Sequence, residues 1–360
     1  MAHSFERRRT RPVYVGGIGI GGDHPIAIQS MTNTDTHDID ATYSQVMRLW
    51  EAGCDIVRIT APDLASVKTF ETLIGRGVKI PLVADIHFNH EIAVAVAESG
   101  VAKIRINPGN IGSDENVRRV VEACRRNCVP IRIGVNSGSL EKHILAKYGS
   151  PTPEALAESA LYHASLLERF DFHDVVISVK ASSVPEMIKA NRILAQRTDY
   201  PLHLGVTEAG GGNSAIVKSS IGIGTLLSEG IGDTVRVSLT DDPVEEIYAA
   251  HEILKAIGMA KNPGMDIVSC PTCGRTKINL ISMLADFKER ARLEGIDKLN
   301  IKVALMGCVV NGPGEAREAD LGIAGGKGEG LIFKKGEIIR KVEESRLVDE
   351  LINEIKATYL

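Results

Sequence analysis

Eight short apolar runs, rich in β-branched residues, recur through the first two thirds of the chain and constrain its fold more than any other feature. Between them lie stretches such as DATYSQVMRLWEAG and NHEIAVAVAESG, whose apolar residues stand three and four positions apart, as in a helix with one buried face. Eight strand–helix units in succession predict a parallel sheet closed into a TIM (β/α)8 barrel, with an open doubly wound sheet as the competing fold. The runs cover residues 26–32, 56–60, 82–87, 103–109, 131–136, 174–180, 202–210 and 234–239.

The alternating pattern stops near Asn262-Pro-Gly264, which predicts a domain boundary. We expect residues 1–262 to form the barrel domain, and the opening segment PVYVGGIGIGGDHP to form a hairpin that plugs its bottom. Residues 263–360 should form a smaller α+β domain, with a helix over about 277–293, a strand in NIKVALMGC, a hairpin in GLIFKKGEII and a last helix.

The charge and the N-terminus narrow the class of partner. A net charge of −4 gives no general attraction to nucleic acid or to an anionic membrane. No apolar h-region follows the basic N-terminus, and no apolar stretch approaches the roughly 18 residues of a membrane span. These observations predict a cytoplasmic protein with no nucleic-acid and no membrane partner. In a reducing compartment cysteines serve burial or metal binding, and the apolar surroundings of Cys54, Cys124 and Cys128 predict that these three are core residues.

Three further cysteines stand in the pattern of a metal site. Cys270 and Cys273 form a C-x-x-C pair, and Cys308 follows 35 residues after the pair. Three thiolates leave one position for another ligand, which suits a zinc site or an Fe–S cluster with one iron free of cysteine. No histidine follows His251, which disfavours a Cys3His zinc site. Glu315, seven residues after Cys308, could offer a carboxylate to the fourth iron.

Polar residues alternate with apolar ones toward the carboxyl ends of the predicted barrel strands. Residues two apart on a strand share a face, and TIM-barrel active sites lie at the carboxyl ends of the strands. We therefore expect these side chains to face one cavity. They are Arg58, Asp85, His87, Arg105, Asn107, Arg132, Asn136, Ser178, Lys180, His203, Thr207, Arg236 and Ser238.

Four arginines and a lysine in one cavity would repel each other unless an anion lay among them, and the guanidinium fork binds phosphate oxygens bidentately. The pattern predicts a substrate with at least two negative charges, most simply a diphosphate. The alternative is a layer of internal ion pairs with Asp85 and Glu208 as counter-charges. Glu208, in GVTEAGGGN, is the first candidate for proton transfer, against a surface or capping acid, and His87 is the second, against a core histidine. The long segment after the fifth strand is a candidate lid, by its length alone.

The chain resembles the bacterial 4-hydroxy-3-methylbut-2-enyl diphosphate synthases of the methylerythritol phosphate route to isoprenoids, in their two-domain form. The matching stretches cover nearly the whole length: IQSMTNTDT, GCDIVRIT, LVADIHFN, KIRINPGN, IRIGVNSGSL, HLGVTEAG, SCPTCGRT and VALMGCVVNGPGEA.

This resemblance implies a [4Fe-4S] cluster bound by Cys270, Cys273, Cys308 and Glu315, with the carboxylate as the displaceable ligand. It implies that the substrate is 2-C-methyl-D-erythritol 2,4-cyclodiphosphate, opened and dehydroxylated with two electrons from flavodoxin or ferredoxin. It also implies a head-to-tail homodimer in which the cluster domain of one chain caps the barrel of the other. Glu208 would be the acid, and the substrate shell would be Arg58, Arg105, Asn107, Arg132, Asn136, Lys180, Lys218, Arg236 and Ser238.

Two other classes of function stay open on the residues alone. One is a zinc-stabilised TIM barrel that binds or acts on a phosphorylated metabolite without redox chemistry. The other is a phosphate-ligand sensor with no enzymatic activity. Iron and acid-labile sulfide would separate the Fe–S enzyme from the zinc protein, and electron consumption would separate it from the sensor.

Overall fold

The computed structural model describes residues 5–308 and 316–360. The chain divides into two compact units, which meet in sequence between Ala260 and Lys261. Among the helices of the described residues, none combines the length and the apolar character that a membrane span requires.

The first unit is a barrel of parallel strands, which confirms the predicted TIM fold. The sheet has the order β8-β7-β6-β5-β4-β3-β10-β9, and a parallel bridge between Ile177 and Leu202 brings its two ends together. Only two residues of each of the last two strands form a ladder, although the sequence predicted longer runs. Beyond them the backbone keeps single bonds, such as the one from the Arg236 amide to the Leu204 carbonyl at 2.9 Å. The strands are β3 (Ala27–Met31), β4 (Ile56–Thr60), β5 (Leu82–Asp85), β6 (Lys103–Ile106), β7 (Ile131–Asn136), β8 (Val175–Lys180), β9 (His203–Leu204) and β10 (Thr234–Val235).

An antiparallel hairpin precedes the barrel and closes its lower end. Its strands are β1 (Val13–Val15) and β2 (Ile18–Ile20). Val13, Val15 and Ile20 are buried in one cluster with Ala27, Ile56, Val83 and Val176, which lie at or next to the amino ends of barrel strands. The predicted plug is therefore confirmed, and the opposite end of the barrel is left for a site.

Helices alternate with the strands, and α4 (Asp114–Arg126) shows how the sequence forms them. In α4, Val117, Val120, Val121 and Cys124 form the buried stripe, and the Ser113 side chain accepts a hydrogen bond from the first turn. Cys54 and Cys124 are buried as predicted. The helices are α1 (Ile39–Glu51), α2 (Val67–Gly75), α3 (His90–Glu98), α4 (Asp114–Arg126), α5 (Lys142–Tyr148), α6 (Pro153–Glu168), α7 (Val184–Arg197), α8 (Gly212–Ser228) and α9 (Pro243–Ala256).

The prediction that Cys128 is a core residue is wrong, because this residue is exposed. Helix α4 has already ended at Arg126, and Cys128 takes up a left-handed backbone conformation, with φ of 53°, in the turn toward β7.

The second unit combines a five-stranded sheet with helices, which confirms the predicted α+β class and adds a strand, Asp266–Ser269, that the sequence did not predict. The sheet has the order β11-β12-β13-β14-β15, in which the first three strands are parallel and the last three antiparallel. Phe287 and Leu351 from its two helices are buried in one cluster with Leu305 and Ile323 of the sheet. Its elements are β11 (Asp266–Ser269), α10 (Leu280–Leu293), β12 (Lys302–Met306), β13 (Leu321–Gly325), β14 (Glu329–Lys334), β15 (Glu337–Glu343) and α11 (Leu347–Tyr359).

Candidate functional site

A small polar cavity, of about 140 Å³, opens at the carboxyl ends of the barrel strands. Strand β7 shows how the sequence builds it, since Arg132, Gly134 and Asn136 alternate with buried apolar residues and all three face the cavity. Gly134 lines the cavity in addition to eleven residues that strand alternation predicted. Those eleven are Arg58, Asp85, His87, Arg105, Arg132, Asn136, Ser178, Lys180, Thr207, Arg236 and Ser238.

Asp85 lies between two of the arginines. Its carboxylate is 3.1 Å from Arg105 Nη1 and 3.6 Å from Arg58 Nε. Burial alone would raise the pKa of this carboxyl, but the nearby charges of Arg58, Arg105 and Arg132 outweigh burial and lower the pKa to about 2. Arg105 also donates from Nη2 to the Gly134 carbonyl at 2.7 Å. Asp85 is thus a permanent anion that fixes two guanidinium groups.

Arg236 pairs with Glu246, a residue that the sequence reasoning missed. Arg236 donates from Nε and Nη2 to the two carboxylate oxygens of Glu246, at 3.1 and 3.0 Å. The alternative of internal ion pairs named Glu208 as the second counter-charge, but Glu208 is exposed and Glu246 has that place. A signal was present in the sequence, because Glu246 lies on the buried stripe of α9 beside Ile247 and Ala250.

Arg132 and Lys180 form no ion pair with any carboxylate of the described residues. Both side chains are buried, and Nε and Nη2 of Arg132 have no hydrogen-bond partner there. Burial lowers the pKa of each group well below its usual value, and the neighbouring cations lower it further. Five cationic groups thus face two buried carboxylates, and the two without a protein partner are the ones most in need of an external anion.

Two predicted residues, Asn107 and His203, lie behind the cavity wall. Asn107 Oδ1 accepts a hydrogen bond from the Gly134 amide at 2.9 Å, so it supports the wall from the next strand. His203 is fully buried, with Nδ1 3.4 Å from Thr234 Oγ1. Burial, followed by the charges of Arg132 and other cations, lowers the pKa of His203 well below its usual value, so this imidazole is neutral.

Glu208 and Lys218 lie outside the cavity lining. Glu208 is exposed, and its φ of 53° is in the left-handed region that residues other than glycine rarely adopt. Such a conformation is held against its energetic cost by the surrounding turn, and residues of this kind cluster at functional sites. Lys218, on α8, donates to the Ala209 carbonyl at 3.3 Å. His87, by contrast, is exposed and reaches the lining from just beyond β5.

The segment proposed as a lid contains α5 and is attached to α6. Glu141, at the start of α5, has Oε1 2.5 Å from Nε2 of the buried His163. Nδ1 of the same imidazole accepts from the Gly109 amide at 3.1 Å, in the loop after β6. His163 therefore joins two loops that leave neighbouring strands of the cavity.

The cysteines of the second unit come from the ends of two adjacent parallel strands. Cys270 follows β11, Cys308 lies two residues past β12, and the Gly307 amide donates to Cys270 Sγ at 3.3 Å. Hydrogen bonds from the backbone and side chain of Arg275 lower the pKa of Cys273, which favours the thiolate that a metal requires. All three are free thiols. In residues 5–308 and 316–360 no three His, Cys, Asp or Glu side chains are already arranged around a common metal position, and Glu315 lies outside those residues.

A larger groove, of about 540 Å³, runs between α8 and α9 on the outside of the barrel. Its lining is apolar and acidic, with Ile216, Tyr248, Glu245 and Glu252, and includes no basic side chain. The groove therefore offers an anion no basic side chain.

Comparisons with known proteins agree with both units. The profile of the GcpE TIM-barrel domain matches residues 10–251, and that of the GcpE protein C-terminal domain matches residues 266–357. A Clostridium perfringens protein named 4-hydroxy-3-methylbut-2-en-1-yl diphosphate synthase (flavodoxin) is 60% identical, over 98% of this chain and 99% of its own length. A Clostridium tetani protein of the same name is 55% identical over the same shares.

Among solved structures, an N-acetylneuraminic acid synthetase from Leptospira borgpetersenii is similar with a TM-score of 0.51 and 13% identity, over 80% of this chain and 99% of that one. At this identity the likeness concerns the fold alone. The two domain profiles and the full-length relatives lead to one conclusion: the chain belongs to the GcpE family.

Proposed function

We propose that this chain reduces 2-C-methyl-D-erythritol 2,4-cyclodiphosphate to 4-hydroxy-3-methylbut-2-enyl diphosphate in isoprenoid biosynthesis, with flavodoxin as electron donor. The full-length relatives named for this activity support the proposal. The observation that carries it is the cavity in which five cationic groups face only two buried carboxylates. Two electrons enter, the ring bond between carbon and a phosphate oxygen breaks, and one hydroxyl leaves as water.

The barrel residues would bind and orient the diphosphate. Arg132 and Lys180, which form no ion pair within the part of the chain that the structure describes, would take the phosphoryl oxygens directly. Arg58, Arg105 and Arg236 are already fixed by carboxylates, so they can present their remaining N–H groups without reorganisation. Asn136 and Ser238, at the rim, would complete the orientation of the ring. A preformed set of donors favours the developing negative charge on the leaving phosphate oxygen.

The second unit would hold a [4Fe-4S] cluster through Cys270, Cys273 and Cys308, with Glu315 as a carboxylate ligand. Thiolates are the donors that iron–sulfur clusters prefer, and the hydrogen bonds from Arg275 lower the pKa of Cys273 and so favour its charged form. When bound, such a cluster supplies single electrons at low potential. Because metal binding also orders the loops that carry its ligands, a preformed arrangement of the three thiols is not required.

Glu208 would handle the proton that accompanies loss of the hydroxyl as water. Its exposed carboxyl and left-handed backbone stand just beyond β9, next to the cavity residue Thr207. His87, exposed at the cavity rim, is the second group that could carry a proton there.

The test of this function is purification without oxygen, followed by iron and sulfide analysis and a turnover assay with reduced flavodoxin. We expect a brown protein with iron and acid-labile sulfide in equal amounts, which converts the cyclic diphosphate and consumes two electrons per product. A colourless protein with zinc in place of iron, or binding of the diphosphate without electron consumption, would overturn the proposal.

A head-to-tail homodimer, in which the cluster unit of one chain serves the barrel of the other, is part of the same proposal. The resemblance supports it, and mixing of two inactive variants tests it. Arg132→Met impairs the barrel and Cys308→Ala impairs the cluster unit, so a mixed dimer contains one intact site only if each site uses two chains. Recovery of up to a quarter of the wild-type activity in an equal mixture is the expected result. No recovery, with exchange of subunits verified, would place both halves of the site in one chain.

A further inference from the structure

Glu246 has all of its hydrogen-bonding capacity occupied by the chain itself. Oε2 accepts from Arg236 Nε at 3.1 Å and from Ser30 Oγ at 2.7 Å, whereas Oε1 accepts from Arg236 Nη2 at 3.0 Å and from the Leu239 amide at 3.2 Å. The residue is only 2% exposed. A carboxylate with four donors and no access to solvent is poorly placed to contact a substrate. Its effect on the site must come through the groups that donate to it.

These contacts fix one edge of the Arg236 guanidinium. Nε and Nη2 are engaged by Glu246, whereas within the described residues Nη1 makes a single long contact, of 3.8 Å, with the Met31 thioether. A thioether is a weak acceptor that a phosphate oxygen replaces at little cost. The bidentate pair thus aims a free donor at the place where an anion would lie.

The same carboxylate also fixes the backbone beyond β10. Its bond to the Leu239 amide holds the residue that follows Ser238, and both Ser238 and Arg236 line the cavity. Its bond to Ser30 joins helix α9 to strand β3 across the barrel wall. The side chain of Glu246 thus contacts strand β3 and the segment after β10, and through these contacts it sets the positions of Arg236 and Ser238.

Charge repulsion explains why Arg236 needs this support. The positive charge of Arg236 acts on both Arg58 and Lys180, and its side chain is 17% exposed, so it has a route to solvent. Without a counter-charge behind it, repulsion would favour a rotamer that leaves the cavity. In the empty protein the carboxylate of Glu246 offsets this repulsion and keeps the Arg236 guanidinium in the cavity.

We propose that Glu246 is a positioning residue, which holds Arg236 and Ser238 in the orientation that binds a diphosphate before the diphosphate arrives. The inference rests on the proposed function for the identity of the substrate, but its anion chemistry can be measured without turnover. Inorganic pyrophosphate is the probe, and the intact protein, purified without oxygen, is the sample.

The primary variant is Glu246→Gln, which keeps the size of the side chain and replaces one acceptor with an amide donor that faces an arginine. We expect the dissociation constant for pyrophosphate, measured by calorimetry, to rise about 10- to 100-fold, as for loss of a charged hydrogen bond. In the turnover assay KM should rise by a similar factor with kcat within about threefold, because binding is weakened equally before and during the reaction. The matched control is Glu245→Gln, at the exposed neighbouring position, which should leave both values unchanged.

A double-mutant cycle with Arg236→Met separates positioning from general damage. If Glu246 acts through Arg236, Glu246→Gln should cause little further loss of pyrophosphate affinity, within about threefold, in the Arg236→Met background. A full additional 10-fold loss in that background would overturn the inference, and so would wild-type affinity in the single variant. Should Glu246→Gln fail to fold, Glu246→Asp, which keeps the charge, is compared with a folded Glu246→Ala variant. Glu246→Asp should recover at least half of the pyrophosphate affinity that Glu246→Ala loses, and a smaller recovery would count against the proposal.

The outcomes also separate this inference from the proposed function. A wild-type protein that binds pyrophosphate and shows the expected cycle, but does not convert the cyclic diphosphate, would refute the function and leave the role of Glu246 intact. Normal turnover by the wild type, together with additive losses of pyrophosphate affinity in the double-mutant cycle, would support the function and refute the role of Glu246.

Discussion

Arg105 and Arg132 occupy paired positions on adjacent strands, yet the same substitution should change stability in opposite directions. Arg105 bonds to Asp85 and to the Gly134 carbonyl. Arg132 is more deeply buried than Arg105, and within the described residues its Nε and Nη2 have no partner, whereas Arg105 lacks one at Nε alone. We therefore expect Arg132→Met to stabilise the empty protein and Arg105→Met to destabilise it.

The magnitudes follow from these contacts. A buried polar group without a partner costs about 1–3 kcal/mol, and replacement of an uncompensated buried charge with an apolar side chain of similar size removes that cost. Arg132→Met should raise the free energy of unfolding by about 1–3 kcal/mol. Arg105→Met breaks a buried ion pair and should lower it by about 3 kcal/mol, at the low end of the usual range because Arg58 still faces Asp85.

Urea unfolding followed by tryptophan fluorescence measures both values, since Trp50, the single tryptophan, lies on helix α1 of the barrel. Pyrophosphate at about 100 times its dissociation constant should stabilise the wild type by about 2.7 kcal/mol and Arg132→Met far less. A loss of more than about 1 kcal/mol in the empty Arg132→Met protein would mean that Arg132 has a partner, and would refute this reasoning.

Three further substitutions probe the remaining groups. Glu208→Gln should bind the cyclic diphosphate with wild-type affinity but turn over about 100-fold more slowly, as general acids contribute factors of about 10²–10⁴; normal turnover in a rapid-quench assay would remove its assigned role. Cys308→Ala should yield protein with little iron and no activity. Cys128→Ala, at the exposed cysteine of the barrel, should retain the iron content and the activity of the wild type, and iron analysis with a turnover assay checks both variants. Asp85→Asn should lower the free energy of unfolding at pH 7 by about 2.5 kcal/mol, the equivalent of a pKa of about 2 instead of 3.8. Because a depressed pKa adds stability only above the unfolded value, that difference should narrow as the pH falls from about 4 toward 2, and a constant difference in urea titrations across this range would contradict the assignment.

The cavity lining could be read from the sequence because strand alternation is a local rule. Once β6 and β7 were recognised, Arg105 and Arg132 had to face the same interior, whatever the rest of the chain did. The register of the strands also pairs Arg105 with Asp85, whereas Arg58 lies opposite Val83, two residues before Asp85.

The partners of these groups depend on contacts between residues distant in sequence, which no local rule supplies. Glu246 reaches Ser30 across 216 positions, and nothing in the spacing of either residue indicates that contact. The alternative of internal ion pairs takes Glu208 as a counter-charge, but the turn after β9 leaves this residue exposed. Alternation in 202–210 and 234–239 predicted longer strands than the two-residue ladders that form, since an apolar pattern records burial rather than hydrogen bonding.

The short ladders of β9 and β10 give the barrel a seam. Arg58, Asp85, Arg105 and Arg132 stand on strands joined by continuous ladders, whereas Arg236 stands just past a strand of two paired residues. Amide protons along this seam should exchange with solvent sooner than those of β4 to β7. The proposed anion site would accordingly have a stiff half and a compliant half, and we expect the barrel to widen at the compliant half if a bulky ring enters or leaves.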